Sequence, residues 1–146
     1  MAYVRKWDDK QAIELPVAEA VAIGDVVYIT SAAKWAKADA NATGLGQACY
    51  VIVTPQSTVG GMATGTKWAD IDGLAPDGST PAAGDWVYLF TTAGGITKTL
   101  ATVVANGVQC VKVGVLLSAT RCLFDFGPPP TRGQTAGDSN IGVAVV

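Results

Sequence analysis

Apolar and polar residues alternate in short runs through most of the chain between residues 17 and 126. A two-residue period is typical of β-strands with one buried face, and turn-forming Gly, Asp, Asn, Ser and Pro separate the runs. In CLFDF, for example, Cys122, Phe124 and Phe126 fall on one face. The pattern predicts an all-β domain. Its strands are expected at residues 25–30, 48–54, 85–90, 108–117 and 120–126.

One phrase occurs twice in this β-rich region. AIGDVVYITSAAKWAK begins at residue 22, and AAGDWVYLFTTAGGITKT begins at residue 82. In each copy a glycine permits the positive φ of a tight turn, and the next residue, Asp25 or Asp85, bonds to turn amides. An apolar strand, a small-polar turn and a return strand follow, so each phrase predicts a β-hairpin. Two such units predict a pseudo-symmetric β-barrel in which both aspartates are structural.

Two segments call for a separate interpretation. Residues 32–42 are rich in alanine and also allow a short helical turn, although a helix of this length needs tertiary support. Residues 65–71 read as strand, with a bend expected near Thr66, Trp68 and Ala69.

The first 16 residues are the most highly charged part of the chain and show neither a helical nor a two-residue period. They include Tyr3, Arg5 and Trp7, residue types that favour burial against another surface. One interpretation is an N-terminal arm that docks on a neighbouring subunit or partner, and the rest of the domain is then expected to fold without it. The other is a frayed end or a short edge strand.

The sequence changes character after Phe126, where GPPPTRGQTAGDSN precedes the apolar run IGVAVV. Pro128, Pro129 and Pro130 lack amide donors and have a fixed φ, so this segment propagates neither a sheet nor a helix. We predict a C-terminal arm whose prolines are a second partner-binding candidate, and whose apolar run is suited to add a strand to its own or a neighbour's sheet. The predicted organisation is an arm (1–16), a β-rich domain (17–126) and a second arm (127–146).

Composition favours a protein that works in an assembly. Hydrophobic residues make up 49% of the chain and charged residues 15%, against about 25% charged residues in ordinary domains. Interface centres are depleted of charge, so this balance favours an oligomer. The net charge is −2 and no basic stripe is present, so no nucleic-acid partner is predicted. The apolar runs are too short to span a membrane and the first residues lack a secretory pattern, so synthesis in the cytoplasm is expected.

Few groups in the chain are suited to catalysis. There is no histidine, nucleophile elbow or phosphate-binding loop, so we predict no enzyme, no catalytic residue and no cofactor. Cys49, Cys110 and Cys122 lack disulfide or zinc spacing and are predicted to be buried thiols. The stretch DIDGLAPDGS, with Asp70 and Asp72, leaves a calcium loop or a hydrolytic pair as minor alternatives. Its spacing fits no EF-hand and favours a polar turn, so no metal site is predicted.

Several of these residues resemble a known family. The two Gly-Asp-x-Val-Tyr phrases, the AGGITKT turn and the closing VGVLLSAT and RCLFDF strands are similar to small capsid decoration, or cement, proteins of tailed bacteriophages. The similarity covers residues 17–126. It implies a small β-barrel or tulip-like domain that forms a homotrimer on the outer surface of the virion.

The resemblance also implies a function. The trimer would bind the major capsid protein at three-fold and quasi-three-fold positions and hold the coat against internal DNA pressure. The family has no fixed binding motif, so no residue is assigned by the resemblance. The C-terminal segment and the long connection at residues 55–83 depart from the plain module and leave open which part contacts the capsid, and the candidate residues are those named in the two arms. Related hairpins also occur in phage tail and fibre modules, and an adhesion module that binds a host-surface ligand is the alternative function.

Overall fold

The computed structural model describes residues 1–40, 50–99 and 111–126. Within these ranges the chain is all-β, as the alternation predicts, with eleven strands, one short 3-10 helix (Asp9–Gln11) and no α-helix. The strands are β1 (Tyr3–Trp7), β2 (Ile13–Pro16), β3 (Val26–Ile29), β4 (Trp35–Lys37), β5 (Tyr50–Thr54), β6 (Met62–Thr66), β7 (Trp68–Asp72), β8 (Trp86–Leu89), β9 (Ile96–Thr97), β10 (Lys112–Leu116) and β11 (Cys122–Asp125).

The strands form two antiparallel sheets. The six-stranded sheet has the order β1-β7-β11-β10-β8-β9, and the five-stranded sheet has the order β2-β6-β5-β3-β4. A barrel requires the first and last strands of a sheet to pair with each other. Here β1 and β9 lie at opposite ends of the larger sheet, and β2 and β4 at opposite ends of the smaller one. The described strands therefore do not close into the predicted barrel.

The main core combines residues from the two sheets. Leu116 of β10, Cys122 of β11 and Ile71 of β7 lie in register across the six-stranded sheet and are at most 1% exposed. Val26 and Val51 of the five-stranded sheet belong to the same buried cluster. Full burial of a large apolar side chain contributes about 1.5–3 kcal/mol, so this cluster contributes strongly to stability.

The five-stranded sheet is buried on its other face by a smaller cluster around Trp35. The Trp35 side chain is fully buried, and its Nε1 donates a hydrogen bond to the carbonyl of Ala63 at 3.0 Å. Its ring lies against Gly65, where a Cβ would collide with it. The Trp35 cluster consists of Val17, Val21, Val27, Trp35, Ile52 and Ala63.

The repeated phrase folds into the same kind of turn twice. Gly24 and Gly84 both have a positive φ, of 92° and 91°. Asp25 and Asp85 each accept a hydrogen bond from the amide three residues earlier, at 2.8 and 3.0 Å. The hairpins β3–β4 and β8–β9 follow these turns. Both aspartates are thus turn residues, as the sequence predicts.

Residues 1–16 contribute one strand to each sheet. β1 pairs with β7 at one end of the six-stranded sheet, and β2 pairs with β6 at one end of the five-stranded sheet. Only Lys67 separates β6 from β7, so the bend predicted over residues 65–71 is the point where the chain passes between sheets. Of the two interpretations of residues 1–16, the described conformation is that of edge strands.

Apolar side chains anchor these two edge strands. Ala2 and Val4 pack against the main core, and Ile13 and Leu15 pack against the Trp35 cluster. Removal of residues 1–16 would uncover parts of both clusters, and folding of the domain without them stays a prediction. The charged residues of this segment interrupt its two-residue apolar pattern, so the sequence did not indicate that it packs on both clusters.

Other predictions have mixed outcomes. The helical alternative for residues 32–42 is wrong where the structure describes them, because Trp35–Lys37 is a strand. Cys122 is fully buried, as predicted for a core thiol. The other two cysteines lie outside the described residues, as does the whole segment 127–146 with Pro128, Pro129 and Pro130.

Candidate functional site

The three candidate residues of the N-terminal segment lie together on β1. Tyr3 is 50% exposed and Trp7 is 39% exposed, although both belong to a paired strand. Arg5 lies between them, where the pairing of β1 with β7 changes register. We call the exposed side of this strand the β1 edge. Tyr3 pairs with Asp72 and Trp7 with Ala69, so the two aromatic side chains lie on opposite faces of the sheet. Together with one guanidinium they flank a strand edge that no strand of the described residues covers, which is a combination suited to binding a protein.

Asp72 of β7 connects the β1 edge to the sheet. It accepts hydrogen bonds from the Tyr3 hydroxyl at 3.2 Å, the Thr120 hydroxyl at 2.9 Å and the Gly73 amide at 2.7 Å. The guanidinium of Arg5 lies 4.0 Å away. The Gly73 amide and the Thr120 hydroxyl are the main causes that hold the pKa of Asp72 below its usual value. This carboxylate stays ionised and orients Tyr3 at the surface.

A second carboxylate on β7 forms a bidentate ion pair. Asp70 accepts hydrogen bonds from Nε and Nη2 of Arg121, and the Nε contact measures 2.8 Å. The hydrogen bonds from Arg121 are the largest cause of the lowered pKa of Asp70. Sequence reasoning missed this pair, although Arg121 directly precedes the strand that pairs with β7. A fork-to-fork contact of this kind fixes the geometry of both side chains and engages the Asp70 carboxylate.

Trp86 is a further exposed aromatic residue that sequence reasoning placed only in a strand. It is 52% exposed on β8, and the ammonium of Lys112 lies 3.6 Å from its ring centroid. Such a cation–π contact contributes about 0.5–1 kcal/mol at an exposed site. The sequence did contain a signal for this exposed position, since Trp86 stands in the second phrase where the first phrase has Val26.

Trp86 begins a row of side chains that crosses the six-stranded sheet. The adjacent row, through Leu116, Cys122 and Ile71, is buried in the core. Because side chains alternate between faces along a strand, the row that begins at Trp86 faces away from the core. We call it the outer row. Its members, paired strand by strand, are Trp86, Val115, Leu123, Asp70 and Lys6. The outer row places apolar surface at the β8 side and charged groups toward the β1 edge.

The acidic residues of DIDGLAPDGS do not form a shared site. Asp70 binds Arg121, Asp72 binds the groups described above, and Asp77 accepts the Thr97 hydroxyl at 2.9 Å. Within residues 1–40, 50–99 and 111–126 there is no group of three or more metal-ligating side chains that could hold an ion. The described geometry does not support the calcium loop or the paired hydrolytic carboxylates.

Cys122 is poorly suited to nucleophilic chemistry. Burial raises the pKa of its thiol to about 12. The thiolate is the reactive form of cysteine, so this side chain is unreactive at neutral pH. Its contribution is to the packing of the main core.

No helix in the described part of the chain is long and apolar enough to cross a bilayer. In comparisons with known proteins, no protein-family model matches the chain, and no curated protein matches it significantly. The candidate site therefore rests on its own geometry.

Proposed function

We propose that the chain is a structural decoration protein of a tailed-phage head. In this proposal a homotrimer binds the major capsid protein on the outside of the virion, at three-fold and quasi-three-fold positions, and stabilises the coat against DNA pressure. The support from sequence is the family resemblance over residues 17–126. The support from the fold is the all-β architecture, with its accessible edge strand.

The proposal includes a pseudo-symmetric domain of the barrel or tulip type. The strand order β4-β3-β5-β6 in one sheet corresponds to β9-β8-β10-β11 in the other. The turn glycines also bind equivalent strands, since the Gly24 amide donates to Ile52 at 2.9 Å and the Gly84 amide donates to Leu116 at 2.8 Å. These matched contacts support two related halves within one domain.

The observation that carries the functional proposal is the exposure of three aromatic residues on the six-stranded sheet: Tyr3 and Trp86 on its outer face, and Trp7 on the face of Ala69 at the end of the sheet. Aromatic residues at a surface are typical of protein-binding positions. The carboxylates beside them are held by Arg121 and by hydroxyl and amide donors. The surface is thus equipped for packing and orientation rather than for proton transfer.

A trimer would multiply these modest contacts. Each copy would present one β1 edge and one outer row, and simultaneous engagement on a capsid lattice raises the effective concentration of the second and third contacts. Tight attachment then requires only weak binding by each copy.

Sedimentation with capsids tests this function. The full chain is mixed with expanded capsids assembled from the major coat protein of the same genome, and bound protein is quantified against free protein. We expect saturable binding by the wild type and at least tenfold weaker binding by Trp7→Ala and Trp86→Ala, as for interface residues that contribute about 1.4 kcal/mol or more.

Val59→Ala provides the matched control. Val59 is 65% exposed and lies in the connection between β5 and β6, which belong to the five-stranded sheet, whereas β1 belongs to the six-stranded sheet. We expect its binding to stay within twofold of the wild type. Failure of the wild type to bind capsids would contradict the proposal. Binding to host cells instead would favour the tail or fibre adhesion module.

A further inference from the structure

The two sheets have four end strands, and two of these are already covered by the chain itself. Beside β4, the Ala18 amide donates to the Trp35 carbonyl at 2.8 Å, and the Glu19 carboxylate accepts the Lys37 amide at 3.0 Å. Beside β9, the Asp77 amide donates to the Ile96 carbonyl and the Asp77 carbonyl accepts the amide of Lys98, the residue after the strand, each at 3.0 Å. Hydrogen-bonding groups of both edges are therefore already used within the same copy.

The remaining two end strands, β1 and β2, differ in their capacity to pair. β2 ends in Pro16, which has no amide donor, and offers only three other residues. β1 has five residues, all with amide donors, and no strand of the described chain lies on its other side. It is therefore the better template for an added strand.

The C-terminal segment leaves the sheet beside β1. The Phe126 amide donates to the Lys67 carbonyl at 3.1 Å, and the next carbonyl, of Trp68, accepts the Asp8 amide at 3.1 Å. Asp8 directly follows β1. The chain beyond Phe126 therefore starts close to one end of the β1 edge.

The sequence beyond Phe126 contains one run suited to pair with this edge. Residues 141–146, IGVAVV, are apolar, uncharged and rich in β-branched valine, and these six residues are enough to pair along the five residues of β1. The absence of charge avoids repulsion with Arg5 and Lys6. An apolar strand would also cover part of Tyr3 and Trp7.

We call residues 127–140, which connect Phe126 to the apolar run, the spacer. Its length and composition bear on whether the run pairs with its own copy or with another. To reach the outer side of β1 in the same copy, the chain would only have to pass β7 and β1, about 15 Å at roughly 4.8 Å per strand, whereas residues 127–140 supply 14 residues. Three consecutive prolines favour extended backbone over a tight reversal. Fully extended, 14 residues span about 45 Å, which is enough to reach another small domain.

We propose that residues 141–146 of one copy pair with β1 of a second copy of this chain. The exchange links copies through backbone hydrogen bonds at the β1 edge. It deepens the proposed function, on which it rests for the homotrimer, by naming the contact that joins the copies. The strand exchange is tested on the free protein and the proposed function on capsids. The exchange can therefore fail while capsid binding succeeds, and capsid binding can fail while the exchange is found.

The experiment compares full-length variants in solution. Val143→Glu with Val145→Glu places two charges in the apolar run, and Gln134→Glu with Ala136→Glu places the same charges at the same spacing in the spacer. Native mass spectrometry gives the number of 14.9 kDa copies, and hydrogen exchange reports the protection of amides in residues 3–7.

We expect the wild type and the spacer variant to be oligomeric with protected β1 amides. The apolar-run variant should fall to the mass of one copy, and exchange in residues 3–7 should become at least tenfold faster. Unchanged mass and unchanged exchange in that variant would overturn the proposal. A wild type that is monomeric yet protected at β1 would also overturn it, since the run would then pair within its own copy.

Discussion

The two Gly-Asp turns share their backbone but differ in their surroundings. Asp85 lies 3.0 Å from the ammonium of Lys98, and this contact is the main cause of its lowered pKa. The corresponding distance from Asp25 to Lys37 is 3.8 Å. Burial is the largest influence on Asp25 and raises its pKa, and the nearby Glu19 charge adds to the effect.

The difference arises from what packs on each turn. Gly94, in the turn of the second hairpin, lies against the carboxylate of Asp25. Its carbonyl accepts the Val26 amide at 3.1 Å, and its amide donates to Ala38 at 2.9 Å. The second hairpin therefore closes over the first Gly-Asp turn, which joins the sheets. The phrase encodes a turn, and tertiary packing decides the charge environment of its aspartate.

The largest expected effect is a difference in the free energy of unfolding between substitutions in the return strands of the two hairpins. Trp35 pairs with Ile29, and Ile96 occupies the matching position opposite Leu89. We expect Trp35→Ala to lower the free energy of unfolding by about 4 kcal/mol, because it empties the Trp35 cluster, and Ile96→Ala by about 2 kcal/mol. Urea unfolding measures both. A smaller loss in Trp35→Ala than in Ile96→Ala would show that the Trp35 cluster is not a main support of the five-stranded sheet.

A smaller effect should distinguish the turn glycines. An added methyl group at Gly84 meets only the strain of positive φ, about 1 kcal/mol, because no atom lies within 4 Å of its position. At Gly24 the same methyl group also meets the side chain of Leu74, which adds about 1 kcal/mol of overpacking. Thermal unfolding of Gly24→Ala and Gly84→Ala should give the lower Tm for Gly24→Ala. Equal Tm values would mean that Leu74 moves aside without cost.

The smallest effect is a pH dependence of opposite sign at the two aspartates. The raised pKa of Asp25 favours the folded state as pH falls through that pKa, so the wild type should gain stability relative to Asp25→Asn on acidification. The lowered pKa of Asp85 stabilises the fold above about pH 4, so the advantage of the wild type over Asp85→Asn should shrink below that pH. Denaturant unfolding between pH 3 and 7 gives both differences. Trends of the same sign would contradict the comparison.

The local parts of the fold could be predicted from the sequence. Gly-Asp before an apolar run specifies a turn and a strand within about six residues, and the alternation in CLFDF specifies β11. The pairing of β1 with β7 could not be predicted in this way. It joins residues more than 60 positions apart, and the charged side chains of β1 and its change of register hide the inward position of Val4.

The candidate site was predicted in part. Exposed Tyr3 and Trp7 follow from aromatic residues in a charged segment, but the sequence does not show that they lie on the same sheet as Trp86. The Asp70–Arg121 pair likewise depends on strand order. Interactions that cross strands need the register, and the register is fixed by the packing of both sheets.

The position of β1 and β2 at the sheet ends has a consequence for synthesis on the ribosome. Both strands are made before their partners, since β6 and β7 end at Asp72. At about 5–20 residues per second, β1 waits roughly 3–13 s for β7 to be translated. During that interval Tyr3, Trp7 and Val4 have no sheet to join, and they are available to chaperones or to other nascent chains. The charged residues among them help keep this waiting segment in solution.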